Sequence, residues 1–432
     1  MTGSYSVTPI ARPFDAIVRL PGSKSITNRA LLAGALAGGR SRLDGALFAE
    51  DTEAMMRCLS RLGAGLAADE PGASVTIDGV AGELRPGPVE LDAGQAGTTA
   101  RFLLPVLAAG QGAYLLDGDA QLRRRPMGPG LEALRSMGVA VEDRGVPGHL
   151  PVVVHGRPSA SAVTVSGDVS SQFVSGLLLA APRFPHGLTI ELTTGLVSRP
   201  YVDLTAAVMA AFGVDIDADA EADRFVVRRG GYTATAYPIE PDASAASYFL
   251  AAAAICGGRV AVPGLGRGSR QGDVAFADLL GRMGATVAWE PDGVSVNGRT
   301  DRRLTGIEAD LSDVSDTAPT LAVVAAFADS PTRVTGIGFI RAKETDRIAA
   351  VVRELRRCGV DADEEVDGFV VRPRTGTGRV VGPAVVQPDG DHRIAMAFAV
   401  MGLRAPGISI ADPGCVAKTF PGFWTTIERL GR

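Results

Sequence analysis

The chain runs to 432 residues, more than one ordinary core holds, and its 46% hydrophobic share is ample for two or three buried cores. A formal net charge of -5 with no basic block speaks against nucleic acid as a partner, and no apolar run approaches the ~20 residues of a membrane helix. Cys58, Cys256, Cys358 and Cys415 lie far apart without a CxxC pair, which points to neither a zinc site nor a disulfide framework.

The opening MTGSYSVTPIARPFDAIVRL lacks the basic start and apolar core of an export signal, so an unexported, cytoplasmic protein is expected. Leu20 to Gly39 follows as LPGSKSITNRALLAGALAGG, an extended entry, a polar turn and a small-residue apolar helix. Ser23, Lys24, Ser25, Asn28 and Arg29 stand where a helix start has unpaired N–H groups and a positive dipole end, which suits an anion such as phosphate.

Further along, a glycine closes an amphipathic stretch again and again: Gly63, Gly138, Gly213, Gly284, Gly359 and Gly431, spaced by 75, 75, 71, 75 and 72 residues. Each reads as a left-handed helix C-cap. In step with them, a polar turn runs into a helix rich in Ala and Leu, opening at Ser23, Ala96, Ser170, Asp242, Ser315 and Asp391. Six copies of one unit are therefore expected, each read as helix, strand, helix, strand. Stretches such as YFLAAAAI and TLAVVAAFA are apolar all round, which places these helices inside and the strands outside.

Three units make a plausible domain. The expected division is residues 23–240 as one domain and 1–22 plus 241–432 as the other, with crossings near 20–24 and 233–243. TATAYPIEPDA, from Thr233 to Ala243, reads as a non-periodic linker. Two similar lobes joined twice can close like a hinge over a ligand.

Of the 43 basic residues only Lys24, Lys343 and Lys418 are lysine. Where arginine serves wherever charge alone is needed, a retained lysine points to chemistry, because it is compact and can give up its proton. The polar turns add Gln95, Gly97, Thr98 and Arg101, then Ser170, Ser171 and Gln172, then Asp316, then Asp391, His392 and Arg393. Ser and Asp here also suit ordinary N-caps, but caps do not explain the company of Lys and Arg. Arg123, Arg124 and Arg125 of LRRRPMGP fit a solvated face, and Ser198, Arg199 and Tyr201 of VSRPYVDL are equally modest. IRAKETDRI crowds Arg341, Lys343, Glu344, Asp346 and Arg347 before a helix.

Together LPGSKSITNRALL, AGTTARF, RRRPM, SSQFVSGLL, VSRPY, AKETDR, DHRIAMA and DPGCVAKTFP, in this order from about residue 9 to the C-terminus, resemble the EPSP synthase (3-phosphoshikimate 1-carboxyvinyltransferase) family. The resemblance implies an α/β fold, a two-domain inside-out α/β barrel of the enolpyruvyl transferase type, with six repeated helix-strand units, buried helices and outer sheets. It implies transfer of the enolpyruvyl group of phosphoenolpyruvate to the 5-hydroxyl of shikimate 3-phosphate, in the shikimate pathway, by a monomer with small-molecule partners and no metal or organic cofactor.

By the same resemblance Lys24, Ser25, Arg29, Ser170, Ser171, Gln172, Ser198, Tyr201, Asp316 and Lys343 would hold shikimate 3-phosphate. Lys24, Gly97, Arg125, Gln172, Arg347, Arg393 and Lys418 would hold phosphoenolpyruvate. Asp316 resembles the base at the 5-hydroxyl, Glu344 a proton-transfer partner at the methylene carbon, and Lys24 and Lys418 complete the catalytic set. The chain departs from the family's common pattern at Gln95, where Asn is frequent, at Phe339, again for Asn, and at Phe102, for Pro.

The related transferase acting on UDP-N-acetylglucosamine usually carries a reactive cysteine where this chain has LRRRPMGP. A two-lobed anion-binding protein without activity would not need Asp316 with Glu344. A P-loop nucleotide binder is disfavoured because GSKS lacks the glycine spacing and GK[ST] ending.

Overall fold

The computed structural model describes residues 3–219, 223–299, 304–373 and 381–431. It divides into two compact units, Pro21–Glu240 and Met1–Leu20 with Pro241–Arg432.

In the Pro21–Glu240 unit the polar turns start inner helices at Lys24–Leu36, Gly97–Leu107 and Ser171–Ala180. All of Gly97–Leu107 is buried, as a helix apolar on every side must be. At Gly176 a Cβ would lie 2.5 Å from the Arg101 carbonyl oxygen, so glycine there lets the second and third inner helices touch backbone to side. The strand after each inner helix is central to a sheet and pairs in parallel with one neighbour and antiparallel with the other. Gly38–Asp44 lies between Ala236–Pro238 and Ser74–Val80, with Arg42 opposite Ala236 and Thr76. Ala113–Asp117 and Leu188–Leu192 repeat the arrangement.

The other unit repeats it with inner helices Ala243–Cys256, Ala318–Ala325 and His392–Arg404. Every residue of Ala243–Cys256 except Ser244 is buried. Asp15–Ile17 pairs in parallel with Arg259–Pro263, and Ser4–Ser6 pairs antiparallel with Ile408–Ala411, so residues before Pro21 supply two strands to this unit. Among the described residues there are five four-stranded sheets and one three-stranded sheet.

Two expectations need correction. The repeat carries two helices and four strands rather than two of each, as in Glu50–Arg61, Gly65–Asp69, Ser74–Val80 and Val89–Asp92 after the first helix and strand. The unread strands are short and polar, such as DAD at Asp217–Asp219 and DADEE at Asp361–Glu365; they lie at sheet edges, where charge guards against stray pairing and hides the apolar alternation. The stretch taken as a linker holds the strand Ala236–Pro238, whose pairing with Gly38–Asp44 the local composition does not reveal.

Five of the six glycines in the series are left-handed C-caps: Gly63, Gly138, Gly213, Gly284 and Gly359 all have positive φ, from 81° to 111°, whereas Gly431 lies inside the short helical turn Arg429–Gly431 without that conformation. Among the described residues no helix is long and apolar enough to cross a membrane.

Candidate active site

The chemistry-bearing side chains gather at the starts of the inner helices, where backbone N–H groups lack helical partners. In the Pro21–Glu240 unit Ser23 caps the first inner helix, its hydroxyl accepting from Ile26 N at 3.4 Å, and Ser170 caps the third, accepting from Gln172 N at 3.3 Å. Lys24, in the first turn, pairs with Asp51 at 3.2 Å, and that carboxylate is only 3% exposed. Ser25 and Lys24 stay partly exposed, while Ser170, Ser171 and Ser198 are buried.

Arg29 lies beneath this group. Its Nε donates to Thr205 Oγ1 at 2.7 Å, Nη1 to the Ser25 carbonyl at 2.8 Å and Nη2 to the Tyr201 carbonyl at 2.9 Å. Burial lowers its pKa to about 10, and Phe102 covers its face at 5.0 Å. Arg29 thus ties the Ser25 turn to the Ser198–Tyr201 turn, where Ser198 takes a left-handed backbone with φ 54°, a conformation that non-glycine residues hold only under local constraint.

Gln172 is aimed from both sides: Arg101 Nη1 donates to its Oε1 at 2.8 Å, and its Nε2 donates to Thr98 Oγ1 at 3.0 Å. Of the three consecutive arginines, Arg123 turns outward to Asp117, Arg124 is exposed, and Arg125 is buried against Gly97. A Cβ at Gly97 would meet Arg125 Nη1 at 2.5 Å. Gly97→Ala is therefore expected to displace the Arg125 fork without unfolding the protein. Affinity for an anion at this helix start should fall about tenfold, roughly the 1.4 kcal/mol of one weakened charged contact, with an unchanged melting temperature; titration with inorganic phosphate and thermal melts check this.

In the other unit Arg347, 2% exposed, is the centre of an ion-pair cluster. Its Nε donates to Asp391 Oδ2 at 2.7 Å, Nη1 to Asp316 Oδ1 at 2.9 Å and Nη2 to Glu344 Oε2 at 2.7 Å. Burial opposes its charge, but Asp391, Glu344 and Asp316 outweigh that and hold its pKa above the ordinary arginine range. Arg393 Nη2 donates to Asp316 Oδ2 at 2.5 Å, so Asp316 bridges the two guanidiniums. Asp391 also caps the His392–Arg404 helix, accepting from Arg393 N at 2.9 Å, which fixes the start of that helix under Arg347. The Tyr248 hydroxyl is buried within reach of Arg393, Arg347 and Asp316, and burial pushes its pKa up to about 12.

IRAKETDRI is divided by the short turn Gly338–Ala342. Glu344 and Arg347 point inward, while Arg341 pairs with Asp346 at 2.8 Å and Glu364 at 3.0 Å nearer the surface. Lys343 lies over the Phe339 ring at 5.7 Å, which gives this lysine an aromatic seat. Lys418 ends the turn Pro413–Lys418 and is 1% exposed. Gln95 is exposed.

The structure thus brings Lys24, Ser25, Arg29, Gly97, Arg125, Ser170, Ser171, Gln172, Ser198 and Tyr201 together in one unit, and Asp316, Glu344, Arg347 and Arg393 in one cluster of the other. Sequence reasoning missed Asp51. Its signal was present, because Asp51, Met55, Cys58 and Leu62 repeat at helical spacing and the carboxylate falls on an otherwise apolar face. Among the described residues no group of three or more His, Cys, Asp or Glu side chains could hold a metal ion.

The EPSP synthase (3-phosphoshikimate 1-carboxyvinyltransferase) family model matches residues 9–427. A 3-phosphoshikimate 1-carboxyvinyltransferase of Trichormus variabilis is 43% identical over 429 residues, 99% of each chain. The solved EPSP synthase of Acinetobacter baumannii has a TM-score of 0.82 at 29% identity, covering 100% of this chain and 98% of its own. The enolpyruvyl transferase NikO of Streptomyces tendae shares the fold, with a TM-score of 0.77 at 19% identity over 100% of this chain and 98% of its own. With the family model matching nearly the whole chain and a relative 43% identical over its full length, the chain belongs to the EPSP synthase (3-phosphoshikimate 1-carboxyvinyltransferase) family.

Proposed function

We propose that the protein transfers the enolpyruvyl group of phosphoenolpyruvate to the 5-hydroxyl of shikimate 3-phosphate and releases phosphate. The observation that carries this reading is Asp316 bridging Arg347 and Arg393 beside Glu344. Two guanidinium forks that already ligate carboxylates suit the carboxylate and phosphate of phosphoenolpyruvate. The two neighbouring acids suit a reaction that moves protons at a hydroxyl and at a carbon.

In this reading shikimate 3-phosphate is held by Lys24, Ser25, Arg29, Ser170, Ser171, Gln172, Ser198, Tyr201, Asp316 and Lys343. Phosphoenolpyruvate is held by Lys24, Gly97, Arg125, Gln172, Arg347, Arg393 and Lys418. Two polyanions repel, and a set of cations with helix N-termini offsets that repulsion. Asp316 takes the proton of the 5-hydroxyl as its oxygen bonds to C2 of phosphoenolpyruvate, while a proton from the Glu344 and Lys418 side adds to the methylene carbon. Phosphate then leaves C2 as one proton departs the new methyl group, restoring the double bond. Lys24 pairs with Asp51 at 3.2 Å, which holds its ammonium at the start of the first inner helix.

The test is phosphate release measured with each substrate alone and with both. Release is expected only with both. No release with both, or equal release when a UDP-sugar replaces shikimate 3-phosphate, would sink the assignment.

A further inference from the structure

Beneath the polar helix starts of the Pro21–Glu240 unit lies a second polar layer, whose two hydroxyls sequence reasoning did not single out. Arg29, Ser175 and Thr205 each stand one helical turn beyond a residue of those starts, namely Ser25, Ser171 and Tyr201. All three are buried: Arg29 is 2% exposed, and Ser175 and Thr205 are 0% exposed.

Thr205 Oγ1 is the hub of the layer. Arg29 Nε donates to it at 2.7 Å, Ser175 Oγ lies 2.9 Å away, and Thr205 donates to the Tyr201 carbonyl at 2.8 Å. A hydroxyl has one proton and two lone pairs. The Tyr201 carbonyl can only accept, so the Thr205 proton goes there and the Ser175 proton turns to Thr205, which fills every bonding direction that Thr205 has. Arg29 Nη2 closes the ring, reaching the Tyr201 carbonyl at 2.9 Å and Ser175 Oγ at 3.4 Å. The helices Lys24–Leu36, Ser171–Ala180 and Arg199–Ala211 are thereby fixed to one another one turn below their starts.

The layer also holds a charge without an acid. Arg29 meets only hydroxyl and carbonyl oxygens, and among the described residues no carboxylate pairs with it, whereas Arg347 has three. A buried cation among neutral partners keeps an attraction for an anion that a carboxylate would otherwise satisfy.

We propose that Thr205, backed by Ser175, is a positioning residue for the phosphate-bearing acceptor: its hydroxyl holds the Arg29 guanidinium and the Ser198–Tyr201 turn in one arrangement, so that the acceptor meets them already ordered. The proposal rests on the reading of Ser25, Arg29, Ser170, Ser198 and Tyr201 as residues that hold shikimate 3-phosphate. Gln172 has supports of its own in Arg101 and Thr98, so its place does not depend on Thr205.

The test is the Kd of shikimate 3-phosphate by isothermal titration calorimetry, with the KM for phosphoenolpyruvate and thermal melts, for the parent, Thr205→Val, Thr205→Ser and Ser175→Ala. Valine keeps the shape and loses the hydroxyl, so the Kd should rise about tenfold, the scale of one charged hydrogen bond, while the KM for phosphoenolpyruvate stays within about twofold. Serine restores the hydroxyl and should return the Kd to within about threefold of the parent even with a lower melting temperature, a rescue that a packing role alone does not give. Ser175→Ala leaves Thr205 on Tyr201 and should raise the Kd about threefold. Parent-like binding by Thr205→Val, equal weakening of both substrates, or a serine variant no better than valine overturns the role of Thr205. If Thr205→Val does not fold, Ser175→Ala decides alone, and parent-like binding by it overturns the role. A parent protein that does not bind shikimate 3-phosphate overturns instead the reading on which the proposal rests, so the two failures are told apart.

Discussion

Arg347→Leu is expected to lose about 3–5 kcal/mol of unfolding free energy and all measurable activity, because it leaves buried charge without its cation. Arg347 is 2% exposed, and its partners Asp391 and Glu344 are 0% and 7% exposed, so water cannot replace the guanidinium. Leucine fills much of the volume but pairs with none of these oxygens. Arg341→Leu, six residues earlier, makes the contrast, since its side chain is 30% exposed and its partners Asp346 and Glu364 are 39% and 42% exposed. That change should cost about 1 kcal/mol or less. Urea unfolding of both variants measures it; equal losses for the two arginines would contradict the buried cluster.

Asp316→Asn is expected to lower kcat by about 10²–10⁴-fold with little change in either KM, since the amide keeps the shape and cannot take a proton. Stopped-flow or steady-state rates at saturating substrates test this, and a rate within tenfold of the parent would remove Asp316 from the chemistry.

Much of this was legible in the chain. The glycine series from Gly63 to Gly359 marks the repeat because a left-handed C-cap can be read without its surroundings, and all five positions hold positive φ. The inner helices were legible because Ala318–Ala325 and Ala243–Cys256 are apolar on every side, which only burial explains. Lys24 was singled out by its rarity, and the structure puts a buried carboxylate against it. What stayed hidden depends on distant partners. Ala236–Pro238 is a strand through its pairing with residues near Arg42, and its own composition carries no alternation. Arg29 was read as a ligand from its place in the polar turn, but its reach to Thr205 and Tyr201 spans more than 170 residues of chain. Asp51 sits on an apolar helix face, a signal that names a buried acid and not the cation that it serves.

The central claim, transfer by addition and then elimination, is tested most directly by running the reaction in deuterium oxide and reading the enol ether methylene of the product by NMR. Addition makes a methyl group that carries one solvent deuteron, and elimination then removes one of its three hydrogens, so deuterium is expected in the product methylene together with one phosphate released per enol ether formed. A product that forms with no deuterium in that methylene, or phosphate released with pyruvate in place of an enol ether, would contradict it.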